Sequence, residues 1–147
     1  MNAALSLSII SAGLFFLNGL ITGVIKYRQI MASPKGEAHV YIDICHRTSL
    51  MYAFACVLIY QFVLISQLPD WLELTAVILL VVYFAAAVVS YFIHGVLQDT
   101  DNQLKQPHKM GNTHISSTLM SLFMWSLIVG EIGGFLILFY GVAIKVI

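Results

Sequence analysis

Four long apolar runs constrain the fold of this chain more than any other feature of its sequence. They lie at about residues 4–25, 48–68, 71–97 and 116–144. Each run is long enough to cross a hydrocarbon core of roughly 30 Å as an α-helix. Of the 147 residues, 60% are hydrophobic and only 10% are charged, whereas a soluble domain has about 25% charged residues. The sequence therefore predicts an all-α integral membrane protein, a four-helix bundle in the lipid bilayer, with residues 1–147 as a single domain.

The basic residues are distributed unequally over the predicted connections. Four lie between the first two runs, two lie between the last two, and one follows the final run: Lys26, Arg28, Lys35, Arg47, Lys105, Lys109 and Lys145. Because positive charge in short loops marks the cytoplasmic side, we expect loops 26–47 and 98–115 in the cytoplasm and both termini outside. The net charge is zero with the histidines neutral, which argues against nucleic acid as a partner.

The second helix is predicted to begin before its apolar run. Ser33-Pro34 is typical of an N-cap followed by a first helical residue, so we expect this helix to span about 37–68. His39, Asp43 and His46 then share one face. Two imidazoles and a carboxylate are a known ligand set for iron or zinc, but here they spread over about 10 Å of helix, which is far for one ion.

His46 is the main candidate ligand. A neutral imidazole is the commonest protein ligand for haem or non-haem iron. The alternative is an interfacial histidine that only bonds loop groups or lipid headgroups. On the predicted topology it lies with the other four histidines at or near the cytoplasmic face: His39, His94, His108 and His114. This clustering indicates one site, for a metal or a haem, at one membrane face.

The other histidines allow several readings. His94 ends a stripe that includes Tyr91 on the third helix, and it is a candidate second axial ligand, a partner for a propionate, or a snorkelling interfacial residue. His108 and His114 lie in a polar loop and are expected to be solvated. If a tight turn at Leu68-Pro69-Asp70 makes helices two and three antiparallel neighbours, His46 and His94 come to similar depths and face a shared pocket.

Glu131 is the unusual residue of the fourth run. It lies near the centre, between Gly130 and Gly134, where a carboxylate costs several kcal/mol by most estimates unless it is protonated or paired. Asn18, inside the first run, is the expected partner. Glu131 is equally compatible with a proton relay. The glycine pair has the GxxxG spacing that lets another helix or a flat ligand approach the backbone closely.

Two segments carry a resemblance to a known family. One runs from Ala32 through ASPKGEAHVYIDICHRTSLMYA to Ala53 and contains a Ser-Pro-x-Gly loop and a histidine that opens the second span. The other is Ser90-Tyr-Phe-Ile-His94, which ends an aromatic-rich third span before a polar loop. With this layout the chain resembles the bacterial styrene oxide isomerases, small four-span membrane proteins that form trimers and bind haem b.

The resemblance implies specific roles. His46 matches the family's proximal iron ligand, and Tyr91 matches its tyrosine at the open coordination position. Tyr52 stands where the family has an asparagine at the reacting centre, and Arg47-Thr48 replaces its Gly-Pro. A ferric haem b would act as a Lewis acid that opens an epoxide to a carbonyl product.

Further partners follow from the same resemblance. Arg47 and Arg28 are the expected partners of the haem propionates, and His94 is a further cofactor-binding candidate. The substrate would be small and hydrophobic, the assembly a homotrimer, and the location the bacterial inner membrane with periplasmic termini.

Two other classes stay open from the residues alone. One is a b-type cytochrome that uses His46 and His94 as its two axial ligands and transfers electrons. The other has no cofactor and is a small transporter or accessory subunit centred on Glu131 and Asn18.

Overall fold

The computed structural model describes residues 2–147 and confirms the all-α membrane bundle. The chain forms α1 (Ala3–Ala32), α2 (Val40–Ile65), α3 (Asp70–Leu97) and α4 (Ser117–Val146). A short antiparallel hairpin, β1 (Lys109–Met110) and β2 (Thr113–His114), interrupts the connection before α4. All four helices are long and apolar enough to cross a membrane. The protein is therefore a multi-pass membrane protein.

The helix ends differ from the predicted ones near the first connection. α1 continues to Ala32 instead of ending near residue 25, because hydropathy marks where a helix leaves the lipid and not where it stops. It ends where Pro34 disfavours helical geometry at Ser33, which is extended (φ −85°, ψ 128°) and caps the C-terminus of α1. The prediction that Ser33-Pro34 begins the second helix is therefore wrong.

α2 begins at Val40 and not near residue 37. Its N-cap is His39, whose Nδ1 accepts a hydrogen bond from the Tyr41 amide at 3.3 Å. The other ends lie within a few residues of the predicted ones. A connection of only four residues, 66–69, joins α2 to α3, so the two helices are antiparallel neighbours as the sequence predicts.

α1 packs mainly against α2, and α4 packs against both α3 and α2. Small polar residues lie inside the bundle, and their hydroxyls bond backbone carbonyls of their own helix: Ser8 to Ala4, Thr22 to Asn18, and Ser49 to Cys45. Large apolar side chains lie outside, among them Leu14, Val24 and Phe54. This distribution suits a lipid surround, where helices associate through close packing and internal hydrogen bonds.

The Gly130/Gly134 pair brings α4 close to α3. A Cβ at Gly134 would lie 3.0 Å from the carbonyl oxygen of Ala76 and 3.1 Å from Leu80, and one at Gly130 would overlap the ring of Tyr83. The expected close approach of a helix at this motif is confirmed.

Candidate functional site

His46 lies in the seam between α1 and α2. Its Nδ1 is 2.7 Å from the carbonyl oxygen of Gly19. Because a carbonyl only accepts, Nδ1 carries the proton, and in the neutral ring the lone pair is on Nε2. Gly23 makes room for the ring, since a Cβ there would lie 3.0 Å from Cε1 of His46. The seam therefore fixes both the orientation and the tautomer of His46.

Charged residues lie one helical turn from His46. Asp43 is paired at 2.6 Å with Lys26 of α1 and at 2.6 Å with Arg47. Two cations around one carboxylate leave a net charge of +1 at this end of the seam. Arg28 is exposed on α1.

The two tyrosines predicted to be catalytic make their ring contacts away from His46. Tyr52 is stacked on Phe84 with ring centroids 4.0 Å apart. Tyr91 is stacked on Tyr41 at 5.9 Å. Tyr52 also lies 5.9 Å from Phe15 of α1, ring to ring. Within residues 2–147, neither tyrosine makes a hydrogen bond or a ring contact with His46.

A second polar cluster surrounds His94 at the end of α3. His94 is 1% exposed, and its Nδ1 is 2.7 Å from Oδ1 of Asp99. The ring of Tyr41 lies 5.3 Å from the imidazole, centroid to centroid. His94 is therefore a buried, carboxylate-oriented histidine, and of the readings left open for it, that of a snorkelling interfacial residue is wrong.

Asp99 joins this cluster to the hairpin. Its second carboxylate oxygen accepts a hydrogen bond from the Gly111 amide. Burial of Asp99 opposes its charged form, but the hydrogen bonds from His94 and from the Gly111 amide outweigh burial and hold the pKa of Asp99 below its ordinary value. The charged carboxylate thus fixes both the tautomer of His94 and the position of the hairpin.

The loop before the hairpin is also tied to the helices. The backbone amide of Gln103 donates to the hydroxyl of Tyr41 at 2.6 Å. The side-chain oxygen Oε1 of Gln103 accepts from Ser90 Oγ at 2.6 Å. His108 is buried, with Nδ1 3.1 Å from the Gln103 carbonyl oxygen. The prediction that His108 is solvated is wrong because the loop folds back onto α3, whereas His114 is exposed as expected.

A cavity of about 420 Å³ lies beside this cluster, between α3, the hairpin and the start of α4. Its polar lining consists of Ser90, His94 and Gln103, and the remaining lining is apolar. His46 does not line it. The expectation that His46 and His94 face a shared pocket is therefore wrong, because His46 faces α1 and His94 faces α4 and the hairpin.

Glu131 lines a smaller cavity of about 300 Å³ between α2, α3 and α4. Its Oε1 is the one buried side-chain oxygen or nitrogen in residues 2–147 that has no hydrogen-bond partner. Asn18 instead donates to Ser49 Oγ at 2.8 Å. The predicted Asn18–Glu131 pair is therefore wrong, because Asn18 is turned toward α2.

His39, Asp43 and His46, whose spacing already argued against a shared ion, do not assemble into a metal site. His39 caps α2, Asp43 is held by two cations, and His46 is held by α1. Within the described residues, no group of three or more His, Cys, Asp or Glu side chains could hold a metal ion.

The sequence reading missed three residues of the His94 cluster. Asp99 and Gln103 lie in a polar loop, where polar residues carry little information, and Ser90 lies about two turns before the end of α3. One signal was present: an aspartate follows His94 by five residues, just beyond the helix end, within reach of its ring. The αL residue Gln98 (φ 51°, ψ 37°) ends the helix and turns the chain back toward it.

The fold and the two clusters define a multi-pass α-helical membrane protein with polar sites near one end of the bundle. No protein-family model, curated protein or solved structure matches the chain. The resemblance to styrene oxide isomerases thus stays a prediction from the two segments quoted above.

Proposed function

We propose that this membrane protein binds haem b through His46, on the outer face of the α1–α2 seam. One observation carries the proposal, the hydrogen bond between Nδ1 of His46 and the Gly19 carbonyl. Histidines that ligate metals almost always donate their second ring N–H to a carbonyl or carboxylate, which fixes the ring and leaves Nε2 for the metal. His46 has this arrangement at the position that matches the family's ligand.

The charges near His46 also fit a haem. Lys26 of α1 and Arg47, the residue after His46, provide two cationic groups of which Asp43 balances only one, and they are suited to pair with propionates. Arg28, which is exposed like Arg47, is a further candidate for the propionates, whereas His94 is less suited because it belongs to the other cluster. His46 lines neither the cavity beside His94 nor the cavity beside Glu131, so the porphyrin would lie against the seam and be covered by another subunit of a homotrimer.

Bound ferric haem would supply a Lewis acid that polarises the oxygen of a small hydrophobic epoxide without redox turnover. The part of this chain is to orient His46, to balance the propionates and to exclude water. Tyr91 and Tyr52 lie inside the subunit, so isomerisation is the less supported half of the proposal. The bacterial inner membrane, with loops 26–47 and 98–115 in the cytoplasm, belongs to the same proposal.

The test is haem content. The full chain is expressed with adequate haem, purified in detergent, and measured by absorption and pyridine haemochrome. We expect a stoichiometric b-type spectrum that His46→Ala abolishes and that His114→Ala, an exposed control, retains. Full occupancy in His46→Ala, or a colourless wild-type protein with normal helical circular dichroism, would refute haem ligation by His46.

The same series separates the cytochrome alternative. A haem held by His46 and His94 together would lose its low-spin spectrum in either alanine variant. If His46 is the only histidine ligand, His94→Ala retains the wild-type haem spectrum. The contacts of the two histidines with different elements favour ligation by His46 alone.

The unpartnered oxygen of Glu131 favours a second candidate function, a cofactor-free transporter or accessory subunit. A carboxylate in an apolar cavity near the bilayer centre costs free energy, and such residues are typically functional. Under this alternative, a cell that depends on the protein loses its function with Glu131→Gln and retains it with His46→Ala. The opposite pattern of activity supports the haem proposal.

A further inference from the structure

The geometry points to a second site, independent of the haem: the 420 Å³ cavity beside His94 binds a small neutral amphiphile with a hydroxyl group, a phenol or an alcohol. The cavity volume lies in the range of small-molecule pockets, and at about 30 Å³ per water it holds on the order of a dozen non-hydrogen atoms. Most of its lining is apolar, so a ring or a short chain fills it.

The polar end of the cavity is matched to a hydroxyl. Nδ1 of His94 donates to Asp99, so Nε2 of the neutral ring accepts. Ser90 donates to the carbonyl oxygen of the Gln103 side chain, which leaves the amide nitrogen of Gln103 as a donor. A hydroxyl is the simple group that both donates and accepts, and it can therefore satisfy both side chains.

Charge excludes anionic ligands. The carboxylate of Asp99 lies directly behind His94, with a side chain only 8% exposed. Among the described residues that line the cavity there is no Lys or Arg. A carboxylate or a phosphate would therefore enter next to a like charge without a compensating cation. This separates a phenol or alcohol from a fatty acid or a lipid phosphate.

The entrance of the cavity faces the outside of the helix bundle. Val89 on α3 and Leu119 on α4 both line the cavity and are 56% and 59% exposed. Met110 of the hairpin also lines the cavity and is 39% exposed. A molecule dissolved in the bilayer thus enters between α3 and α4, with its hydroxyl toward the hairpin.

The experiment compares three matched probes on the full chain in lipid nanodiscs: 1-naphthol, naphthalene and 1-naphthoate. Equilibrium dialysis against empty nanodiscs of the same lipid removes simple partitioning. We expect saturable, one-to-one binding of 1-naphthol, about tenfold tighter than naphthalene for the hydrogen bonds gained, and no saturable binding of 1-naphthoate. Equal binding of naphthol and naphthalene, saturable naphthoate binding, or no binding above partition overturns the proposal.

Variants locate the site. Ala86→Phe fills this cavity and abolishes naphthol binding, whereas the matched Ala55→Phe fills the Glu131 cavity and leaves binding unchanged. The reverse pattern overturns the assignment. His94→Gln reduces the preference for naphthol over naphthalene, and circular dichroism checks its fold. His46→Ala binds naphthol like the wild type, so loss of haem and loss of naphthol binding are separate outcomes.

Discussion

Gly95 on α3 is the position where one added methyl group is predicted to do the most damage. A Cβ there would lie 2.8 Å from the backbone nitrogen of Ile42 and 2.7 Å from its Cγ1. Ile42 is fully buried, and its amide donates to the His39 carbonyl at the start of α2. A side-chain rotation alone cannot relieve this clash, so in Gly95→Ala the two helices must separate.

The magnitude follows from two opposing effects. Overpacking of a tight interior costs typically 1–3 kcal/mol. Because the Cβ of Gly95→Ala meets backbone, which cannot rotate away, we expect a cost of about 3 kcal/mol. Replacing a helical glycine by alanine returns about 1 kcal/mol of propensity. We therefore expect the free energy of unfolding to fall by about 2 kcal/mol, which corresponds to a drop in Tm of about 6 °C for a chain of this size.

Thiol labelling during heating measures this effect. Cys45 and Cys56 are both free and fully buried, so a thiol-reactive fluorophore in detergent reports unfolding. Gly13→Ala is the control, because a Cβ at Gly13 meets nothing within 4 Å. We expect it to match or slightly exceed the wild-type Tm. If Gly95→Ala melts together with Gly13→Ala, the helix contact described here is wrong.

Three further predictions concern the polar and aromatic interior. Because the pKa of Asp99 is lower in the folded state than in the unfolded state, its contribution to the free energy of unfolding is complete above about pH 4 and is lost as pH falls through the folded-state pKa. Asp99→Asn should therefore cost about 2 kcal/mol at pH 7 and flatten the acid branch of a Tm-against-pH curve. An unchanged acid branch would contradict the hydrogen bond between Asp99 and His94. Glu131→Leu should raise Tm in the thiol assay, since it removes an unpartnered buried oxygen that costs about 1–3 kcal/mol, and a lower Tm would show that Glu131 has a partner. Tyr52→Phe should retain the stack on Phe84 and leave Tm unchanged, whereas Tyr52→Ala should cost about 3 kcal/mol; equal loss in both variants would instead assign the effect to the hydroxyl.

The candidate site was only partly predictable from sequence. His46 and His94 stood out because ionisable residues are rare in apolar runs. Their partners did not, because Gly19 contributes a backbone carbonyl and Asp99 lies in a loop of similar polar residues. The pocket shared by His46 and His94 was inferred from their similar depth in the membrane. Depth, however, does not determine which neighbouring helix each side chain contacts.

The sequence by itself determined the number of helices, their confinement to a membrane and the short connection that makes α2 and α3 antiparallel. It did so because apolar runs of about 20 residues have the length of membrane-spanning helices, and because turn residues act locally. The tertiary structure decided which helix each polar face meets. It turned Asn18 toward Ser49 and left Glu131 in an apolar cavity. It also folded the loop onto the helices, because the hydrogen bond between the Gln103 backbone amide and the Tyr41 hydroxyl joins residues 62 positions apart, and no local pattern records such a contact.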